Sequence, residues 1–411
     1  MQLLYNILVF KAALVLKVLA LFNKKIKLFV DGRKETLTIL KNNISPSDNV
    51  IWMHCASLGE FEQGRPILEK LREKHPTKKL VLSFFSPSGF EVRKNYKGVD
   101  VVCYLPLDSR KNVEQFIDLV HPEIAIFVKY EFWPNLLIEL KDSNIDTILI
   151  SGIFRKNQMF FKWYGGWMRK SLNAFKYFFV QDETSQNLLN SIKFKNVVAC
   201  GDTRFDRVYE ITKQDNLLSF VSEFKNNDYT LVAGSTWKED EEVLVNYINN
   251  SASENEKFII APHNIKKEAI EKLKNSILKK VVLFSEKEEK KELKNYQVFI
   301  VDTIGILTKI YSYADIAYVG GGFTKSGVHN VLEPATFGVP IIIGPNYNKF
   351  IEAKELVNKQ ACFVADNSQK LSVLLTGFFS ENKKRLEAGS LSLNYVIEKT
   401  GASEKILNYI K

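Results

Sequence analysis

The sequence predicts an α/β protein built from two doubly wound domains behind an apolar N-terminal helix. Three observations carry this prediction. Short apolar runs recur that are too continuous to alternate, amphipathic stretches lie between them, and a polar pause halfway along is followed by a restart of the pattern. Runs of that kind are what parallel strands need when helices cover both faces of their sheet.

The first element, Leu3 to Phe22, is almost wholly apolar and long enough as a helix to reach across a ~30 Å hydrocarbon core. Asn6, Lys11 and Lys17 interrupt it. A central lysine costs roughly 2.5–3.5 kcal/mol on insertion scales, so a crossing helix and a surface-lying one are both open. Lys24, Lys25 and Lys27 follow and are expected on the cytoplasmic side, and no small-residue cleavage site follows. Residues 1–27 are assigned to this anchor.

A Rossmann-like domain is assigned to residues 28–205. Its strands are expected at Val50–His54, Leu80–Phe85, Val99–Tyr104, Ile124–Val128, Thr147–Ile150, Tyr177–Val180 and Val197–Cys200. Helical patterns lie between them at Ile67–Glu73, Asn112–Val120, Leu136–Lys141 and Thr184–Ser191. The polar stretch around Thr203–Asn227 is expected to be a linker. A second Rossmann-like domain, residues 206–411, is expected to hold strands at Leu231–Ala233, Phe258–Ala261, Val281–Phe284, Val298–Val301, Ile316–Val319, Pro340–Ile343 and Phe363–Val364. Helices between about Lys383 and Ile410 are candidates to pack back across the domain junction.

Composition agrees with two cores, since 411 residues with 45% hydrophobic content exceed what one core usually holds. A net charge of +10 points to an anionic partner. Charge alone does not choose between nucleic acid, anionic lipid and a phosphorylated substrate; nucleic acid is not expected, because no RNP-type aromatic motif, zinc finger or block of Lys and Arg is present, and Lys287 to Lys294 is diluted by Glu. Cys55, Cys103, Cys200 and Cys362 stand singly, as free thiols of a reducing compartment do. The five histidines show no metal-ligand spacing, so no metal is expected and acid–base work falls to carboxylates or an isolated His.

The segment from Gly320 to Pro334 follows an apolar strand and is expected to open a helix. Glycines let backbone N–H groups approach an anion, and a helix N-terminus adds partial positive charge, so a nucleotide phosphate suits this loop. Its spacing is not that of a P-loop or of a dinucleotide fingerprint. Glu333, one turn on, is suited to vicinal hydroxyls such as a ribose diol. A turn required only for tight packing would use the same glycines.

In the first domain Glu60 lies where the first strand ends and a helix begins, a position that suits accepting a proton from a sugar hydroxyl and equally suits a plain helix-start residue. Glu131 in Glu131-Phe132-Trp133-Pro134-Asn135 follows another strand of the same sheet, either as a second carboxylate or as a cap for the helix near Pro134. Gly201-Asp202-Thr203-Arg204-Phe205-Asp206 marks the junction. Gly234-Ser235-Thr236-Trp237 and Ala261-Pro262-His263-Asn264 end strands of the second domain, the former before an acidic helix start at Glu239, Asp240 and Glu241.

Read together and in order, these segments resemble the Kdo (3-deoxy-D-manno-oct-2-ulosonic acid) transferases of lipopolysaccharide assembly. The likeness runs from the anchor and Gly32-Arg33-Lys34 through His54 and Ser57-Leu58-Gly59-Glu60, Pro87-Ser88-Gly89, Glu131–Asn135, Gly201–Asp206, Gly234–Trp237, Ala261-Pro262-His263 and Gly320–Glu333 to Gly344-Pro345. It implies a GT-B glycosyltransferase, with two Rossmann-like domains facing a cleft. Such an enzyme moves Kdo from CMP-Kdo to the lipid A precursor lipid IVA, with inversion and without metal or cofactor. It further implies a place at the cytoplasmic face of the cell inner membrane, whose anionic leaflet becomes a partner. Carried over residue by residue, Glu60 is the general base and Glu131 the second carboxylate, while Arg204, Ser235, Thr236, His263, Gly321, Gly322, Asn330 and Glu333 contact CMP-Kdo. Two departures stand out: Lys129 and Tyr130 replace the first two residues of the Glu-Thr-Glu common in relatives, and His263-Asn264 stands where Arg-His is common. The alternatives are another GT-B nucleotide-sugar enzyme, such as a UDP-sugar transferase or 2-epimerase, and an inactive lipid-binding protein.

Overall fold

The computed structural model describes residues 1–290 and 292–410. Met1–Asp206 and the stretch from Thr400 onward form one compact unit, and Arg207–Lys399 form another.

The first unit holds β1 Val50–Cys55, β2 Lys79–Phe84, β3 Val101–Tyr104, β4 Pro122–Val128, β5 Asp146–Gly152, β6 Phe175–Val180 and β7 Val197–Ala199, in the parallel order β3-β2-β1-β4-β5-β6-β7. The second holds β8 Tyr229–Thr236, β9 Glu256–Pro262, β10 Val281–Leu283, β11 Val298–Ile300, β12 Ile316–Val319, β13 Ile341–Ile343 and β14 Cys362–Val364, in the parallel order β10-β11-β9-β8-β12-β13-β14. Every expected strand is present, with shifted ends. The third begins at Val101 rather than Val99 because the Asp100 carboxylate takes the N–H of Leu80 and the Arg72 guanidinium.

Both faces of each sheet are covered, which is why the strands read as unbroken apolar runs. In β1, Val50 and Trp52 pack into one core while Ile51, Met53 and Cys55 pack into the other. In β8, Leu231 and Ala233 face one core and Val232 the opposite one.

The expected linker is helical over much of its length, at Thr203–Ile211 and Ser219–Lys225. At the other end of the chain, Ala402, Ile406 and Ile410 join the core beneath β1. Asp206 fastens that return, since its carboxylate accepts the N–H of Gly401 at 2.5 Å and of Ser403 at 2.7 Å. An apolar helix, Gln2–Leu19, precedes a second helix, Lys24–Asn43. The second is braced by Arg33, whose guanidinium lies 3.5 Å from the Phe29 ring centroid and donates to the Phe85 carbonyl at 2.6 Å.

Candidate active site

Parallel register brings the carboxyl ends of neighbouring strands to one edge. In the first sheet His54 lies beside Ser83 and Phe127, so the segments after β1, β2 and β4 emerge together. Glu60 sits there, half-buried in the first turn of the helix Leu58–Lys74. The hydroxyl of Ser57, the residue preceding that helix, donates to the Glu60 carboxylate instead of capping a backbone N–H. Glu60 and Glu131 flank Cys55: burial first, then these two carboxylates, push the Cys55 thiol well above its ordinary pKa.

Glu131 is turned inward, with 8% of its surface exposed. It caps nothing. The N–H groups of Asn135 and Leu136, at the start of the helix Pro134–Asp142, are taken by Asp108 at 3.0 and 2.9 Å. The Glu131 Oε2 instead accepts from Trp133 Nε1 at 2.7 Å and lies 3.1 Å from Nε2 of the fully buried His54. His54 Nδ1 is 2.8 Å from the Ser83 hydroxyl, which accepts from Trp52 Nε1 at 2.8 Å. Trp can only donate, so every group is satisfied when Ser83 O–H donates to Nδ1 and the His54 Nε2–H donates to Glu131. This chain of five side chains fixes one oxygen of Glu131.

Arg204 belongs to the first unit. Its Nε and Nη2 meet Asp202 Oδ2 at 2.9 and 2.7 Å, and Asp202 also takes the Gln63 amide at 3.2 Å. Thr203 closes the corner, its hydroxyl donating to the Gln63 carbonyl at 2.5 Å.

In the second unit Gly234, Ala261, Val319 and Ile343 stand level on neighbouring strands. The glycine loop follows β12 at that edge. It does not open a helix at once: the loop runs to Val331, and the helix Leu332–Ala335 is a single short turn. Each glycine has its own structural reason. A Cβ on Gly320 would fall 2.4 Å from the Ser235 carbonyl oxygen and one on Gly322 2.5 Å from the Gly344 nitrogen, whereas Gly321 has φ of +90°. The Gly321 N–H is already held by Asp240. Ser235 has a left-handed φ of 55°, and Thr236 donates its hydroxyl to Glu241 at 3.0 Å.

Beside this loop the rings of Trp237, His263 and His329 are stacked, with His263 4.6 Å from each of the others. Trp237 Nε1 donates to His329 Nε2 at 2.9 Å, and burial, reinforced by His263, lowers the pKa of His329. The oxygens of Glu333 accept from Asn330 and Thr308, each at 3.0 Å, and Arg207 is its electrostatic neighbour.

Thus Glu60 and Glu131 share the edge of the first sheet, and Ser235, Thr236, His263, Gly321, Gly322, Asn330 and Glu333 share that of the second. Sequence reading gave no role to Ser83, Asp240, Trp237 or Arg207; the acidic helix start was the signal available for Asp240. Among the described residues no three His, Cys, Asp or Glu side chains converge as a metal-binding group.

Residues 31–207 match the family described as 3-deoxy-D-manno-octulosonic-acid transferase (Kdo transferase). Curated relatives cover nearly the whole length. The 3-deoxy-D-manno-octulosonic acid transferase of Aquifex aeolicus is 29% identical over 84% of this chain and 90% of its own, and that of Haemophilus influenzae 26% over 90% and 88%. The chain thus carries a Kdo transferase domain over residues 31–207 and is similar to Kdo transferases over most of its length. Its two parallel-sheet α/β units are those of GT-B proteins. UDP-GlcNAc 2-epimerase from Neisseria meningitidis superposes with a TM-score of 0.59 at 11% identity, over 88% of this chain and 99% of that one. MurG from Acinetobacter baumannii gives 0.52 at 10% identity, over the same shares. At such identities the likeness is one of fold alone.

Proposed function

We propose that this Kdo transferase relative moves Kdo from CMP-Kdo to lipid IVA at the cytoplasmic face of the inner membrane, with inversion and without a metal. The observation that carries this reading is Glu60, a half-buried carboxylate in the first turn of a helix at the carboxyl edge of the first sheet. In the reaction Glu60 takes the proton of an acceptor hydroxyl, the oxygen bonds to the anomeric carbon, and the bond from that carbon to the CMP phosphate breaks. Glu131, locked by His54 and Trp133, cannot swing freely, which suits a group that orients the acceptor. The second unit is assigned the donor, with Glu333 at the ribose and the loop after β12, together with Ser235, Thr236 and His263, at phosphate and sugar. Arg204, charged and half-buried, is assigned the donor's anionic groups. A net charge of +10 suits a bisphosphorylated acceptor in an anionic leaflet.

The test is CMP release by purified protein given CMP-Kdo and detergent-dispersed lipid IVA in excess chelator. Release only when both substrates are present supports the reading. Turnover of a UDP-sugar instead, or a requirement for added Mg²⁺, contradicts it.

A further inference from the structure

The N-terminal helix Gln2–Leu19 is docked lengthwise on the first unit. Its half-buried residues are Gln2, Tyr5, Asn6, Val9, Ala13 and Leu16, and spacings of three and four place them on one stripe. Hydrogen bonds fasten the start of that stripe: Tyr5 donates to Asp108 at 2.7 Å, and Asn135 donates to Asn6 at 2.8 Å. At the other end Ala13 and Leu16 line a groove with Phe29, Arg33, Pro106 and Leu107. The outer side, including Leu4, Leu8, Phe10, Leu14, Val15 and Val18, is exposed.

A crossing helix must put its two ends on opposite sides of a ~30 Å apolar layer. Here both ends rest on the same unit, close to Asp108, Arg33 and Lys34, none of which can enter hydrocarbon cheaply. A second feature points the same way. Trp163 is 91% exposed, and Tyr164 beside it is also exposed. Their loop leads into the helix Gly166–Leu172, whose Trp167 packs on Tyr5 at 5.4 Å between centroids. Such rings favour the headgroup level, and the exposed Lys11, Lys17, Lys24 and Lys25 match an anionic surface.

We infer that residues 2–19 lie in the plane of an anionic lipid surface, outer face down, with Trp163 and Tyr164 as a second point of insertion, and do not cross the bilayer. This rests on the membrane attachment proposed above but not on the sugar chemistry.

The experiment uses full-length protein on vesicles of phosphatidylglycerol and phosphatidylethanolamine. Leu4→Cys, Lys11→Cys and Val18→Cys, seven residues apart and so on one stripe, each receive a fluorophore, the native cysteines being buried. Lipid-borne nitroxides then report depth. One shallow depth for all three positions is expected, and Trp163→Ala should weaken vesicle binding several-fold. A probe at position 11 near the bilayer centre with those at 4 and 18 near opposite faces would overturn the in-plane geometry while leaving attachment standing. Unchanged binding of Trp163→Ala overturns the role of the loop, and no binding at all overturns attachment itself.

Discussion

Asp240 holds the N–H of Gly321 at 2.8 Å through the same oxygen that takes the N–H of Trp237 at 2.9 Å, while Tyr318 donates to its other oxygen at 2.8 Å. One buried carboxylate therefore ties the start of the helix Lys238–Asn250 to the glycine loop, and the loop's shape is set from behind.

Asp240→Ala should cost about 3 kcal/mol in urea unfolding, because three donors lose their acceptor. Asp240→Asn should cost less, since its carbonyl can take the N–H groups while its amide faces the tyrosine oxygen. Burial raises the Asp240 pKa above 3.8. A carboxyl raised in the folded state favours folding most below its unfolded pKa and loses that contribution as pH rises through the folded one. The stability of Asp240→Asn relative to the parent should therefore improve from pH 4 upward, read from unfolding midpoints.

Glu333→Ala should weaken CMP binding about tenfold in calorimetry, the loss of charge-assisted bonds to a diol, and leave the circular dichroism unchanged. Gly322→Ala should behave differently. Its Cβ meets backbone, so it should lower the melting temperature as well as affinity. Equal CMP affinity in Glu333→Ala would remove that residue from the donor site.

The positions of the strands and the presence of two cores were legible because each strand is buried on both faces, and burial writes itself into apolar runs; the order of strands within each sheet was not read from those runs. Glu60 was legible because a strand end and a helix start adjoin within a few residues. Asp240 and Ser83 were not, since their partners lie far along the chain: Gly321 reaches Asp240, and Trp52 and His54 reach Ser83, only once strands pair. The helical content of 203–227 was missed because polar residues there mask the buried Phe205, Val208, Val221 and Phe224. The glycine loop seemed to open a helix because the sequence does not show that Gly320 and Gly322 are needed for backbone contact.

Ser83→Ala removes the hydroxyl that joins Trp52 to His54. Two buried ring nitrogens then lose a partner, at about 1–3 kcal/mol for each group left unsatisfied. Denaturant titration should show that loss. Because Glu131 keeps its carboxylate, turnover per folded molecule should fall far less than in a Glu60 variant.

Glu60→Gln keeps the size of the side chain and still accepts from Ser57, but cannot take a proton. Turnover should drop by about 10²–10⁴ with CMP affinity retained, measured by initial rates and calorimetry. A variant with near-parental rates would take the base elsewhere.

The central claim is tested most directly by the mass of the product. Purified full-length protein is incubated with CMP-Kdo and lipid IVA, and the lipid is analysed by mass spectrometry beside the Glu60→Gln variant. The account predicts lipid IVA carrying at least one added Kdo with the parent protein and almost none with the variant. Unmodified lipid in both, or equal product in both, would contradict it.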